Sequence, residues 1–216
     1  MTAPYAIDSL GTVTQTKIDM LRKITGAFPT VWGRYLDGVT DTEVLLLKSS
    51  GIKLLPISRR SNQVTGNEAQ GRAAAEQDSV RLQRLCEQPN VLRHVFLDVE
   101  YRPVLCADFW RGWANATAEA GFKPCVYLPN FKNWPSSWRT LQGAMLAGAP
   151  CVGTWVAWYT QKDDGSAEFH PDLWDAGKAE CPLKLAPALL WQDTGNAYAK
   201  QFDFSIFNPS IEPWWS

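Results

Sequence analysis

The stretch His94-Val95-Phe96-Leu97-Asp98-Val99-Glu100 has the composition of a β-strand. Side chains alternate across a strand, so His94, Phe96, Asp98 and Glu100 share one face and Val95, Leu97 and Val99 share the other. The wholly apolar face is suited to meet a layer of helices. The opposite face then looks into an enclosed interior and ends in two carboxylates. Directly afterwards, Val104 to Ala120 carries Leu105, Phe109, Trp113, Ala116 and Ala120 at steps of three and four, which predicts a helix stopped by Gly121. Pro124 to Leu128 is a strand again. Strand, helix and strand in succession form the unit of a parallel sheet.

The same alternation extends in both directions. Towards the N-terminus lie strands at Tyr5 to Asp8, Val31 to Leu36 and Ile52 to Ile57, with helices at Thr14 to Ile24, from the capping box Thr40-Asp41-Thr42-Glu43 to Gly51, and at Glu68 to Cys86. Towards the C-terminus come a helix at Ser136 to Ala147 and strands at Val152 to Tyr159, Pro187 to Gln192 and Phe202 to Phe207. Eight strands alternating with helices predict an α/β fold of the TIM type, a (β/α) barrel of parallel strands. The connection from Asp193 to Gln201 is too short for a crossover helix, which needs about 10 to 12 residues. An irregular, helix-poor C-terminal section is therefore expected. Ser58 to Asn67 reads as a polar loop and Asp163-Asp164-Gly165-Ser166 as a turn. At 216 residues without repeats or linker-like stretches, the whole chain, 1–216, is expected to form one barrel domain.

Composition narrows the function. Lysine and arginine total 21 against 22 acids, a net charge of −1 without long charge runs, so no nucleic-acid partner is expected. No apolar stretch reaches the roughly 20 residues of a membrane span. Met1 to Leu10 lacks the pattern of a secretory signal, which suggests a protein made in the cytoplasm and released or delivered later, as a phage lysin or an effector would be. Five cysteines (Cys86, Cys106, Cys125, Cys151, Cys181) without C-x-x-C spacing argue against a disulfide framework and a zinc site, although Cys151 with Cys181 stays open as a pair. The 11 tryptophans divide between core packing and a groove that stacks on sugars. A monomer is expected.

In such barrels the working residues sit at the C-terminal strand ends and in the following loops. Those ends carry Asp8, Arg34 and Tyr35, Ser58, Asp98 and Glu100, Tyr127 and Asn130, Trp158 and Tyr159, Gln192, and Asp203. Two acids in one confined site repel each other's ionised forms, so one holds a proton near neutrality while the other stays anionic. Glycosidic cleavage requires that division of labour. Backbones two residues apart on a strand lie roughly 6.5 to 7 Å apart, which leaves both retention and inversion open. The same Asp98-x-Glu100 could instead cap the barrel rim or pair with Arg34 or Arg102. Tyr127, Tyr159, Gln192, Arg34 and Asp203 are candidates to orient substrate, and Trp158 is a candidate stacking platform. His94 falls at the closed end, and His170 precedes Pro171 in a loop, so neither supplies a base for a serine or cysteine nucleophile. No nucleotide-binding glycine motif is present, and no cofactor or metal is expected.

Taken together, Ala6-Ile7-Asp8, Gly33-Arg34-Tyr35-Leu36, Gly51-Ile52-Lys53-Leu54-Leu55-Pro56-Ile57, Phe96-Leu97-Asp98-Val99-Glu100, Thr154 to Tyr159, Leu190-Trp191-Gln192 and Phe202-Asp203-Phe204 resemble a known group. This is the glycoside-hydrolase-like domain of unknown function 1906, related to the family 25 lysozymes, and the resemblance spans nearly the whole chain. It implies a modified barrel that hydrolyses the β-1,4 bond beside N-acetylmuramic acid in peptidoglycan. It also implies Glu100 as general acid, Asp98 as nucleophile or as the carboxylate that steadies the substrate's acetamido group, and Asp8 as the first-strand aspartate of the site. Asp203-Phe204-Ser205 and Gln192-Asp193-Thr194 depart from the lysozymes' Asp-Leu-Asn and Gln-Tyr-Thr, and both departures bear on the substrate. Two alternatives stand beside the enzyme: an inactive cell-wall glycan-binding module on the same barrel, and a metal-dependent hydrolase using the same acids.

Overall fold

A computed structural model describes residues 4–100, 102–132, 134–159, 174–179, 181, 186–196, 202–211 and 213–215. Eight strands close into a barrel in chain order: β1 (Tyr5–Asp8), β2 (Val31–Tyr35), β3 (Lys53–Ser58), β4 (His94–Asp98), β5 (Lys123–Pro129), β6 (Gly153–Ala157), β7 (Ala188–Asn196) and β8 (Phe202–Phe207). Among the described residues, five helices lie between them: α1 (Gln15–Thr25), α2 (Asp41–Ser49), α3 (Glu68–Leu85), α4 (Ala107–Glu119) and α5 (Pro135–Leu146). The expected α/β barrel is the observed one. The turn read at 163–166 and His170 lie outside the described residues.

One feature departs from the expected parallel sheet. Strands β1 to β7 pair in parallel, but β8 runs antiparallel to both β7 and β1. The short segment before β8 is the physical reason. Antiparallel neighbours need only a short connection, whereas a parallel partner would need a crossover of a dozen residues or more.

Local sequence explains the helix boundaries. Thr40 Oγ1 accepts from the Glu43 amide, and Glu43 Oε2 accepts from the Thr40 amide at 2.9 Å, completing the predicted capping box. At the end of α1, Gly26 adopts φ 76°, a left-handed conformation that suits glycine, and its amide reaches Arg22 O. Helices α3 and α4 approach closely because Gly71 and Gly112 face each other's backbones. A Cβ on Gly71 would fall 2.1 Å from Phe109 O, and one on Gly112 would fall 2.0 Å from Glu68 O.

Two cores result. Outside the barrel, Val95, Leu97 and Val99 pack with Phe109, Trp110, Trp113 and Trp138 from the helices. Inside it, Leu55, Ile57, Phe96, Cys125, Trp155 and Leu190 fill the centre, so strand β4 divides its faces as the alternation predicts. The lower end is closed by the C-terminal tail. Trp214 meets the His94 ring at 4.6 Å, and Trp215 stacks on Phe207 at 3.8 Å. Cys151, left open as a disulfide partner, is a free thiol. Among the described residues, no helix is long and apolar enough to cross a membrane.

Candidate active site

The barrel's upper mouth holds a cavity of about 60 Å³ lined by Asp8, Tyr35, Ile57, Asp98, Glu100, Tyr127, Trp155, Tyr159, Gln192 and Asp203. Each strand brings its residue there by register. Asp98 lies beside Tyr127, and Tyr127 beside Trp155, across parallel pairs; Ala157 lies beside Gln192. Asp8 and Asp203 are directly opposed across β1 and β8, a pairing of like charges that a sheet disfavours unless it is put to use. Ordinary ligand pockets are roughly 300 to 1,000 Å³. This one is therefore sized for a single substituent of a ligand, the rest of which would lie across the mouth.

Gly33 lets the side chains beneath the mouth pack closely. A Cβ there would lie 2.9 Å from Asp8 Cβ and 3.0 Å from Ile57 Cδ1, so any larger residue would push into the acidic cluster. Asp8 and Asp98 are buried, at 8% and 4% exposed, whereas Glu100 and Asp203 are half-buried nearer the opening.

Asp8, Asp98 and Glu100 are held towards their neutral forms. Burial raises Asp8 well above the ordinary aspartate range, and the charges of Asp203, Asp98 and Glu100 add to the effect. Burial, with repulsion from Glu100, pushes Asp98 up to about 7, partly countered by Arg59 and by a hydrogen bond from Tyr35. Glu100 is also raised, chiefly by burial and then by Asp203, and Arg59 again works against the rise. Burial raises the Tyr35, Tyr127 and Tyr159 phenols, so they remain neutral hydroxyls. The Tyr127 and Tyr159 hydroxyls lie 3.4 Å apart. Asp8 Oδ1 and Gln192 Oε1 are buried without a hydrogen-bond partner among the described residues, which leaves two polar atoms for a ligand. Trp155 forms part of the wall while its Nε1 donates to Ser205 Oγ at 3.0 Å. Among the described residues, no three carboxylate, imidazole or thiol groups are grouped as metal ligands.

The structure thus gathers Asp8, Asp98, Glu100, Asp203, Tyr127, Tyr159 and Gln192 in one place. It does not bring Arg34 or Trp158 to the pocket. Arg34 is buried on the outer side of β2, where its Nε pairs with Glu43 Oε1 at 2.9 Å and its Nη1 donates to Ser9 O and Leu10 O at 2.6 and 2.9 Å. It fastens the loop after β1 to α2. Trp158 packs against the outer cluster of Ala179, Trp191 and Ile206, with Lys132 Nζ 5.3 Å from its ring centroid. Trp155 and Arg59 belong to the surroundings of the site without having been singled out from sequence, and Tyr35, named there only as a strand-end residue, lines the pocket. Alternation was the available signal for Trp155 and Tyr35: Trp155 and Tyr159 share a face, as do Gly33 and Tyr35.

No family model and no curated protein matches this chain. Solved structures do. An uncharacterized protein from B. stearothermophilus aligns over 98% of this chain and 99% of its own, with a TM-score of 0.72 and 18% identity. The catalytic domain of endolysin ply40 from bacteriophage P40 of Listeria monocytogenes covers 97% and 94%, with a TM-score of 0.60 and 14% identity. The Mycobacterium tuberculosis Tat-secreted protein Rv2525c, solved in complex with L-tartrate, covers 99% and 100%, with a TM-score of 0.58 and 13% identity. At these identities the likeness is one of fold.

Proposed function

We propose that the chain, residues 1–216, acts as a single-domain glycoside hydrolase of the lysozyme type, cleaving β-1,4 bonds beside N-acetylmuramic acid in bacterial peptidoglycan. The observation that carries this reading is the convergence of Asp8, Asp98, Glu100 and Asp203 from the ends of strands β1, β4 and β8 into one small pocket, with raised pKa values at the first three. An endolysin catalytic domain built on the same barrel supports it.

The chemistry follows from depth. Glu100, nearer the opening, is the acid that reaches the glycosidic oxygen and protonates it as the bond breaks. Asp98, lying deeper, attacks the anomeric carbon in its ionised form, once the pair's proton is on Glu100, or holds the acetamido group that attacks it. The cavity's volume of about 60 Å³ suits a substituent of that size. Tyrosine hydroxyls from Tyr35, Tyr127 and Tyr159 can donate to the acetamido carbonyl, and Gln192 Oε1 can accept from its N–H. Asp203, nearer the opening, supplies negative potential beside the sugar, where positive charge develops in the transition state, while Asp8, held towards its neutral form, is placed to hydrogen-bond the substrate. With Asp98 pushed up to about 7, the Asp98 and Glu100 pair still holds a proton near neutral pH, the proton that the leaving group requires.

Release of reducing sugar from purified peptidoglycan tests the reading, with Glu100→Gln and Asp98→Asn each checked for folding by circular dichroism. Loss of activity by a factor of at least about 100 in both is expected for a general acid and its partner. An inert native protein that still sediments with the wall material would replace the enzyme with a glycan-binding module. Activity abolished by a chelator and restored by magnesium would point to the metal-dependent alternative.

A further inference from the structure

Arg59 is the first residue after β3 and is exposed at the mouth of the pocket. Its neighbours fix its direction. Ser58 Oγ donates to Asp78 Oδ2, and Arg60 pairs with Asp78 Oδ1 at 2.7 Å. Asp78 is buried on α3 and also accepts from Trp113 Nε1 at 3.4 Å. With residues 58 and 60 tied to α3, Arg59 lies over the pocket's own Tyr35, its guanidinium carbon 5.3 Å from the ring centroid. Its charge acts on Asp98, Glu100 and Tyr35, yet it forms no ion pair among the described residues.

We propose that Arg59 is a carboxylate clamp, whose open N–H fork recognises an acidic substituent on the bound sugar and sets the orientation in which the glycan enters. The proposal rests on the reading of the pocket as a glycan site and narrows the substrate class to sugars bearing a free carboxylate, such as a uronic acid or a muramic acid whose lactyl carboxyl is not amide-linked to peptide. A guanidinium resting on an aromatic face keeps its plane fixed and its edge donors available, and that edge matches a carboxylate two bonds at a time. Deeper in, the lining holds Asp8, Asp98, Glu100 and Asp203 and no cation, so an anion finds no partner there and is repelled by whatever negative charge the cluster carries. An acidic substituent is therefore accepted on the Arg59 side and rejected in the reversed orientation, an attraction and a repulsion that act together. When a ligand carboxylate occupies Arg59, the positive charge that holds Asp98 and Glu100 down is withdrawn, so binding an acidic sugar draws protons onto that pair.

Titration of N-acetylmuramic acid and glucuronic acid against their uncharged counterparts, N-acetylglucosamine and glucose, followed by NMR shifts, tests this in the native chain, Arg59→Gln and Arg59→Lys. The native protein should prefer each acid about 10-fold, the scale of one charge-assisted contact. The preference should fall to about 1 in Arg59→Gln and to an intermediate value in Arg59→Lys, which keeps the charge but not the fork. Calorimetry in two buffers of different ionisation enthalpy should show proton uptake with the acids and less with the neutral sugars. A preference for N-acetylmuramic acid alone would assign the clamp to the lactyl group. Equal affinity for acids and neutral sugars, or a preference unchanged in Arg59→Gln, overturns the clamp alone, while failure of all four sugars to bind overturns it together with the glycan reading.

Discussion

Replacing Asp98 with Asn should abolish activity and stabilise the protein, with a stabilisation that grows with pH. Burial and Glu100 lift Asp98 from an ordinary value of 3.8 to about 7. Between those two values the unfolded chain has lost the proton and the folded chain keeps it. A raised folded-state pKa contributes stability that is fully present below the unfolded value and is lost as pH rises through the folded one, at roughly 1.4 kcal/mol per pH unit. From pH 5 to about 7 the native protein should thus lose about 3 kcal/mol through this one group, a loss that Asn cannot suffer. Solvent reaching the pocket and the neighbouring acids reduce the figure to about half, or a gap of about 3 to 6 °C in Tm for a chain of this size. Thermal unfolding of both proteins by circular dichroism at pH 5 and pH 8 measures it. A Tm difference that is the same at both pH values, or one that favours the native protein more at pH 8, would refute the claim that Asp98 is held protonated by its surroundings.

Activity on peptidoglycan should fall as pH rises through about 7, because the working pair must retain one proton and its last leaves in that range; a flat rate from pH 6 to 8 contradicts this. Gly33→Ala should stay folded, lose about 1 to 3 kcal/mol in urea denaturation and most of its activity, since the new methyl meets Asp8 Cβ at 2.9 Å. Arg34→Met should cost about 3 to 5 kcal/mol by leaving Glu43 buried and uncompensated, and its folded fraction should show the native pH profile. A changed profile would return Arg34 to the site.

The β-strand pattern made most of this site legible. Phe96, Asp98 and Glu100 had to share a face because Val95, Leu97 and Val99 needed the helices, and the structure separates them in that way. The same rule, carried one strand further, decides against Arg34 and Trp158. Trp32 packs outward with the helices, so Gly33 and Tyr35 face inward and Arg34 outward again. Trp155 faces inward, so Trp158 falls on the opposite face from Tyr159. What periodicity could not reach is Arg59. Its direction depends on Asp78, 19 positions away on α3, holding Ser58 and Arg60, and such long-range anchoring leaves no local signature.

The reversal of β8 accounts for both ends of the barrel. In a run of parallel strands, only C-terminal residues reach the mouth, and Asp203 is the second residue of its strand. A parallel β8 would have placed it at the closed end, far from Asp98. Running the other way, β8 starts at the mouth, and Asp203 comes to lie directly opposite Asp8. The same strand then descends and delivers the tail to the floor, where Trp214 and Trp215 pack on His94, Phe96 and Phe207. Burial beside Lys123 holds the His94 imidazole down to about 4, so it stays neutral beneath the tryptophans. One antiparallel strand thus completes the acidic cluster above and seals the barrel below, which keeps the charged pocket shallow and confines its chemistry to the mouth.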